Sequence, residues 1–122
     1  ESLAERFGDR LSWVLCPRSN DYIEGARPPV ETLRRAGVRI ALGTDSLSSN
    51  ETLSIVEELK MLRSVPLDEA LRWATLGGAE ALGIDLWAGS FVPGKRPGAV
   101  LLGGIDFRTT TLRDDAFSRR IL

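Results

Sequence analysis

The chain has 122 residues, of which 43% are hydrophobic, and this length and composition predict one globular domain with a substantial apolar core. Sixteen basic and seventeen acidic residues give a formal net charge of -1, and no long run of one sign occurs, so binding to nucleic acid or to an anionic membrane surface is not predicted. The chain has no histidine and one cysteine, Cys16, which excludes an internal disulfide and a cysteine-based metal cage. No apolar run has the length of a membrane span and no signal-peptide pattern opens the sequence, so we expect a cytoplasmic protein.

The first elements are a helical turn and a strand. Leu3, Ala4 and Phe7 have the spacing of the last turn of a helix that Gly8 ends, which indicates that earlier turns lie upstream. The run 11–16 predicts a buried strand that ends at Pro17, because proline cannot donate to a sheet ladder. We expect residues 18–21 to form a polar loop after it.

A helix and a second strand follow. The segment 29–36 has the pattern of a helix ended by Gly37, and the run 38–42 predicts a strand buried on both faces. A strand, a helix and a strand in this order predict a parallel right-handed crossover. Asp45 then falls at the carboxyl end of the second strand, where parallel sheets place their ligand sites.

Two further helices are predicted in the middle of the chain. Ser48 and Glu51 have capping-box spacing for a helix that continues to Arg63, and a third helix begins after Pro66. We expect the glycine pair 77–78 to interrupt it before a short helical piece over 79–82.

The composition changes from Ile84 onward, where glycine and proline mark a loop that leads into the apolar run 99–102. We expect this run to be a lone strand that pairs with a sheet outside this sequence, and the tail 106–122 to pack loosely or against another segment. The domain prediction is therefore 1–83 for one unit and 84–122 for a linker, a strand and a tail.

Four groups of residues in order resemble the C-terminal part of the metal-dependent amidohydrolase superfamily, in particular its chlorohydrolase, cytosine-deaminase and S-adenosylhomocysteine-deaminase-like members. The groups are Cys16-Pro17-Arg18-Ser19-Asn20; Gly37-Val38 with Ala41-Leu42-Gly43-Thr44-Asp45-Ser46 and Ser49-Asn50; Ala74-Thr75 with Gly78-Ala79 and Ala81-Leu82-Gly83; and Gly89-Ser90 with Gly94-Lys95.

The resemblance implies an α/β fold made of the last two strand-helix units of a TIM (β/α)8-type barrel, followed by helices and one strand of a small β-domain. It implies that Asp45 is a metal ligand and the catalytic residue that moves the proton of the attacking water. It also places Arg18, Ser19, Asn20 and Ser46 at the substrate-binding mouth. The cofactor is a divalent metal, zinc being favoured over iron or manganese.

One difference between this sequence and the family pattern, the absence of histidine, determines the function that we predict. The family's metal site also uses histidines, including a His-x-His pair, and this chain has none, whereas metal sites take at least three protein ligands. We therefore expect a C-terminal segment of a metal-dependent hydrolase that acts on C–N bonds, with deamination of a cyclic or nucleoside-like small molecule as the reaction. Alone, the segment is expected to hold no metal and to be inactive. Its partner would be the missing N-terminal part or a complementary chain.

Alternatives remain open at this point. A small non-catalytic α/β binding or interaction domain is compatible with the absence of histidine. Asp45 could be a cap or turn residue, and Ser19 and Asn20 could simply form a loop. Cys16 is interpreted as a small buried hydrophobe more readily than as a nucleophile, because no histidine is present to activate it.

Overall fold

A computed structural model describes residues 2–122 of the chain, which form a mixed arrangement of helices and strands, in agreement with the predicted α/β class. The helices and strands, in chain order, are α1 (Leu3–Phe7), β1 (Ser12–Leu15), α2 (Pro17–Glu24), α3 (Val30–Arg35), β2 (Arg39–Leu42), α4 (Ile55–Met61), α5 (Leu67–Arg72), α6 (Gly78–Leu82), β3 (Val100–Asp106) and β4 (Thr111–Arg120). A 3-10 turn, Gly8–Arg10, follows α1, and a π-helical segment, Trp73–Gly77, joins α5 to α6. None of the helices formed by residues 2–122 has the length and apolarity needed to cross a lipid bilayer.

Strands β1 and β2 pair in parallel, as the strand-helix-strand order predicts, with Ser12 opposite Arg39 and Leu15 opposite Leu42. Strand β2 is buried over Ile40–Leu42, which confirms the prediction of a strand covered on both faces. Strand β1 differs, because Val14 is 57% exposed. One face of this two-stranded sheet is therefore open at β1.

Residues 18–21 do not form the expected loop. They lie in α2, which begins at Pro17 directly after β1 and ends at Gly25. Proline is compatible with this position because the first N–H of a helix has no intrahelical partner and the fixed proline φ suits the first helical turn. Pro17, which the sequence analysis interprets as the end of a strand, is thus the first residue of a helix.

The start of α4 also differs from the prediction. Ser48 and Glu51 form no capping box, because α4 begins at Ile55 with Ser54 at its N-cap and no side-chain cap. The intervening polar residues form a turn over 47–49 and an irregular segment beside the end of β2. Within this segment, the Ser49 side chain donates a hydrogen bond to Asp45 and does not cap a helix.

The glycine pair does not interrupt the third helix. The chain continues without a break from α5 through the π-helical segment into α6, and it ends at Gly83 with a left-handed φ of 68°. A Cβ on Gly77 would lie 2.3 Å from the backbone oxygen of Ile40. Glycine is therefore required at position 77 by close packing of the helix on β2 and not by a helix end.

The C-terminal part contains its own strand partner. Strand β3 pairs antiparallel with β4, with Val100 opposite Arg120 and Asp106 opposite Thr111, and a register shift lies between Gly103 and Ile105. The expectation of a lone strand without a partner in the chain is wrong, and of the two alternatives for the tail, packing against another segment is the one observed. Of the residues of β4, Leu112 and Ala116 are buried, and because they are four positions apart they lie on the same face of the strand.

One apolar core joins the sheet, the helices and the hairpin. Its buried residues come from β1, β2, α3, α4, α5, β4, the π-helical segment and the connection between α4 and α5: Leu15, Leu33, Ile40, Leu42, Val56, Leu59, Leu62, Val65, Ala70, Trp73, Leu112 and Ala116. Because Leu112 and Ala116 belong to β4, the hairpin packs on the helical layer. The domain boundary at 83/84 stays a prediction.

The two neighbouring glycines provide a test of the packing on β2. Gly77→Ala is expected to lower the free energy of unfolding by about 2 kcal/mol, since the new methyl group must displace the Ile40 backbone or the helix. Gly78→Ala is the matched control, because a Cβ there meets nothing within 4 Å and alanine should raise the free energy by about 0.5–1 kcal/mol. Urea unfolding of the protein as its gene encodes it measures both. Equal effects of the two substitutions would contradict the close approach.

Candidate active site at the carboxyl end of β2

Asp45 lies just beyond the carboxyl end of β2, after Gly43 and Thr44, and it is exposed. Its φ of 57° places a non-glycine residue in the left-handed region, which aspartate tolerates better than most residues. Such conformations persist when surrounding contacts hold them, and they are enriched at functional sites. The conformation of Asp45 therefore depends on its neighbours.

Two serine hydroxyls hold the Asp45 carboxylate. Ser19 Oγ and Ser49 Oγ each lie 2.8 Å from Asp45 Oδ2, and the two hydroxyl oxygens lie 2.8 Å from each other. Ser19 comes from the first turn of α2 and Ser49 from the turn after β2. Both serines are buried, and both bind the same carboxylate oxygen, so neither occupies Oδ1.

These contacts change the acidity of Asp45. Hydrogen bonds from Ser19, then Ser49, lower the pKa of the Asp45 carboxyl below its ordinary value of 3.8. Desolvation opposes them to a smaller extent, and the Ser46 backbone N–H makes the smallest contribution, which also lowers the pKa. A donor to the ionised form favours that form. Asp45 is therefore a carboxylate throughout the neutral pH range and can accept a proton or bind a cation.

A second layer of polar contacts lies behind the serines. The fully buried Glu58 of α4 accepts a hydrogen bond from the Arg18 backbone N–H at 2.9 Å and from Asn50 Nδ2 at 2.6 Å. Asn50 Nδ2 also donates to the Thr44 backbone oxygen at 2.9 Å, and Arg18 Nε donates to Asn50 Oδ1 at 3.1 Å. Burying a carboxylate is costly unless hydrogen bonds satisfy it, and here both oxygens have a donor.

Glu58 also completes the N-terminus of α2. The first N–H groups of a helix lack intrahelical partners, and Cys16 at the N-cap of α2 supplies no side-chain hydrogen bond. The Glu58 carboxylate accepts one of these N–H groups from a distant part of the chain. A negative charge at this end of a helix is also favoured by the helix dipole.

The predicted site residues are only partly brought together. Ser19 and Asp45 are in direct contact, and Ser46 follows Asp45 at the surface. Arg18 lies in the same turn of α2 but directs its guanidinium to Asn50 and Glu51. Asn20 is half-buried in α2, and its side chain has no hydrogen bond within residues 2–122.

The polar network contains residues whose role at the site the sequence analysis missed. Ser49 and Asn50 have the composition of a helix cap, and nothing local shows that they face Asp45 instead. The sequence does mark Glu58 as unusual, because it lies three residues after Ile55 and four before Leu62, at a position of the apolar stripe of α4. A carboxylate on a core-facing stripe indicates a buried partner, although the pattern does not identify it.

Cys16 sits beside this network without the properties of a nucleophile. Burial, more than any other cause, raises the pKa of its thiol, and the nearby Asp45 and Glu58 charges act in the same direction, against a hydrogen bond from the Asp45 backbone. A thiol kept protonated at neutral pH is a poor nucleophile. The structure thus favours the interpretation of Cys16 as a small hydrophobe.

Asp45 by itself does not make a metal site. No group of three or more histidine, cysteine, aspartate or glutamate residues within 2–122 could hold a metal ion, whereas protein metal sites take at least three such ligands. The chemistry of one exposed, ionised carboxylate fits a single ligand position. The other ligands of any metal would have to come from outside the described residues.

The serine contacts generate a prediction for the pKa of Asp45. Replacing both Ser19 and Ser49 by alanine removes the two hydroxyl donors and is expected to raise this pKa towards 3.8. Carbon-13 NMR titration of the Asp45 carboxyl in metal-free protein measures the shift. Ser48→Ala, an exposed neighbour, is the control and should leave the titration unchanged.

The same contacts have a consequence for stability. A carboxyl whose pKa is lower in the folded state stabilises the fold above its unfolded-state pKa and loses that contribution as the pH falls through the folded-state value. The stability difference between wild type and the double serine variant should therefore be largest above pH 3.8 and decrease on acidification. A difference that grows in acid would show that the serines do not act through the Asp45 carboxylate.

The sequence matches the model of the amidohydrolase family over residues 2–121. It is 42% identical over 85 residues to a 5-methylthioadenosine/S-adenosylhomocysteine deaminase of Halobacterium salinarum, covering 61% of this chain and 20% of that protein. It is 38% identical over 110 residues to the protein of the same name in Pelotomaculum thermopropionicum, covering 81% of this chain and 24% of that protein.

The structure also resembles solved deaminases. An adenosine deaminase from Xanthomonas campestris, crystallised with bound zinc, superposes with a TM-score of 0.64 at 35% identity, covering 73% of this chain and 23% of that one. The chain thus spans about a quarter or less of the length of these relatives. With the family model matched over nearly all of its residues, and with its aspartate at the carboxyl end of a parallel strand, the chain belongs to the amidohydrolase family.

Proposed function

We propose that this chain is the part of a metal-dependent deaminase that supplies the carboxylate Asp45 to the active site. The proposed reaction is hydrolytic removal of an amino group from an adenosine-like nucleoside. The names of the two curated relatives and of the zinc-containing structure support this choice, because all three are deaminases of adenine nucleosides or of close derivatives. They favour the catalytic hypothesis over a non-catalytic binding domain.

The observation that carries the proposal is the Asp45 carboxylate held at the carboxyl end of β2 by Ser19 and Ser49. Hydrolytic deamination needs a group that takes a proton from water and returns it to the leaving nitrogen. Asp45 is exposed and ionised at neutral pH, which suits an acceptor. The serines fix one of its oxygens, so the direction of Oδ1 is determined as well.

In this proposal Asp45 is also one ligand of a divalent metal, for which zinc is the first choice. A bound metal in a hydrolase lowers the pKa of water and polarises the substrate. The remaining ligands would be contributed by a part of the protein outside these 122 residues or by a complementary chain. For the same reason we propose that residues 1–122 alone have no deaminase activity.

The proposed architecture follows the same reasoning. We assign β1 with α2 and α3, and β2 with α4, to the last two strand-helix units of a TIM-type barrel, and residues 84–122 to a second unit that includes the β3–β4 hairpin. The parallel β1–β2 pair and the family match support this assignment. The open face of β1 at Val14 is compatible with a further barrel element beside it.

Of the four residues predicted to contact the substrate, we retain two. Ser19 and Arg18 already have partners in the network, so we assign them to holding the site. Ser46, exposed beside Asp45, and Asn20, half-buried in α2, remain the proposed substrate contacts.

Asp45→Asn tests the proposal in the protein as its gene encodes it, supplied with zinc. The amide cannot accept the proton, so the rate of ammonia release from adenosine or 5-methylthioadenosine should fall by about 10² to 10⁴-fold. Asp68→Asn, an exposed carboxylate in the first turn of α5, is the matched control and should retain full activity. Release of ammonia at the wild-type rate by the Asp45 variant would refute the assigned role.

A further inference from the structure

Glu58 is the feature of this structure that the proposed chemistry leaves unused. It lies on α4, its side chain is 0% exposed, and it does not touch Asp45. A buried carboxylate among Val56, Leu59 and Leu62 is unfavourable for stability compared with an apolar residue. Its presence at this position therefore calls for a role beyond packing.

The two hydrogen bonds of Glu58 reach the two segments that hold Asp45, which are the first turn of α2 and the segment after β2. One oxygen accepts the N–H of Arg18, the residue that precedes Ser19, and the other accepts from Asn50, the residue that follows Ser49. Ser19 and Ser49 are the hydroxyl donors to Asp45. One buried side chain thus holds the neighbours of both groups that orient the reacting carboxylate.

Asn50 extends this connection to the backbone of the site. Its Nδ2 donates to Glu58 and also to the backbone oxygen of Thr44, which directly precedes Asp45. The left-handed backbone at Asp45 is therefore supported from the side of Thr44. Glu58 fixes the amide that provides this support.

We infer that Glu58 is a positioning residue, which holds α2 and the segment after β2 so that Ser19 and Ser49 meet Asp45 in one fixed geometry. This inference rests on the proposed function for the role of Asp45 in the reaction. The arrangement of Glu58, Arg18 and Asn50 is a property of the fold and can be measured separately.

The direction of the hydrogen bonds requires a carboxylate at position 58. Both partners are donors, the backbone N–H of Arg18 and the amide NH2 of Asn50, so both oxygens at position 58 must accept. Glutamine has the same shape but one acceptor oxygen, and its NH2 would face another donor. Asn50 cannot reverse its amide without losing the contact with Thr44 and the hydrogen bonds from Arg18 Nε and Thr52 to its oxygen.

The experiment compares Glu58→Gln with Glu57→Gln in the protein as its gene encodes it, loaded with zinc and assayed on adenosine. Glu57 is the adjacent residue of α4 and pairs with Lys60 at 2.7 Å, outside the network. Misplacing a reacting group by about 1 Å can reduce turnover about 100-fold. We expect kcat of the Glu58 variant to fall by about 10 to 100-fold with KM changed less than about threefold, and the Glu57 variant to match wild type.

Amide hydrogen exchange gives a readout that needs no catalysis. The peptide covering residues 16–20 should exchange faster in Glu58→Gln than in wild type, because the Arg18 N–H loses a carboxylate acceptor, and it should be unchanged in Glu57→Gln. Unchanged exchange in the Glu58 variant would overturn the inference. So would a wild-type kcat, or a loss expressed only in KM.

A second variant keeps the test decisive if Glu58→Gln does not fold. In the double variant Glu58→Gln with Asn50→Asp, the glutamine amide can donate to the aspartate and accept from Arg18, but the support of Thr44 is lost. Because position 58 keeps both of its hydrogen-bond partners in this variant, we expect it to fold and the peptide 16–20 to exchange at close to the wild-type rate; exchange clearly faster than in wild type would overturn the inference. If the wild-type protein releases no ammonia, the proposed function is wrong. If the wild-type protein is active and the Glu58 variant is equally active, the inference about Glu58 is wrong and the proposed function stands.

Discussion

The parallel register of β1 and β2 is the constraint on which the site depends. Leu15 pairs with Leu42, and the Gly43 N–H donates to the Leu15 backbone oxygen at 2.8 Å. Both strands therefore end at the same edge, with the first turn of α2 beside the segment that contains Asp45. An antiparallel pair would place these two chain ends at opposite edges. The contact between Ser19 and Asp45 follows from this register.

Close packing under β2 keeps that strand in place. The helical segment that follows α5 approaches β2 so closely that only a glycine at position 77 fits against the Ile40 backbone. The apolar residues of α4 belong to the same core as β2 and pack against β4. Since protein interiors pack densely and yield little, the end of β2 is a rigid position from which to present a carboxylate.

Glu58 connects this apolar layer to the polar site. It occupies a core-facing position of α4, and each of its oxygens accepts a hydrogen bond from a residue next to one of the two serines that bind Asp45. Removing such a carboxylate from water is costly, but a network in which donors and acceptors match specifies one arrangement. The site thus consists of the exposed Asp45 carboxylate, the buried Ser19 and Ser49, and the buried Glu58 behind them. The serines orient Asp45, and Glu58 holds the residues next to the serines.

The order of four short motifs carried the family resemblance. Local patterns in the sequence were sufficient for the α/β class, the strand-helix-strand order and the position of Asp45 after the second strand, because apolar periodicity and the residues that end strands act over a few positions. They predicted a loop at 18–21, a helix break at the glycine pair 77–78 and a strand near residue 100 whose partner lies outside the chain. Each of these was wrong for a reason outside the local pattern. Pro17 begins a helix whose N-terminus receives a carboxylate from α4, Gly77 accommodates the Ile40 backbone, and β3 finds its partner in β4.

The partners of Ser49, Asn50 and Glu58 in α2 were decided by tertiary structure, since hydrogen bonds between residues 30 to 40 positions apart leave no periodic signal in the sequence. The sequence determined which side chains could carry the chemistry. The fold determined which of them meet, because only the pairing of distant segments brings a donor within 3 Å of its acceptor.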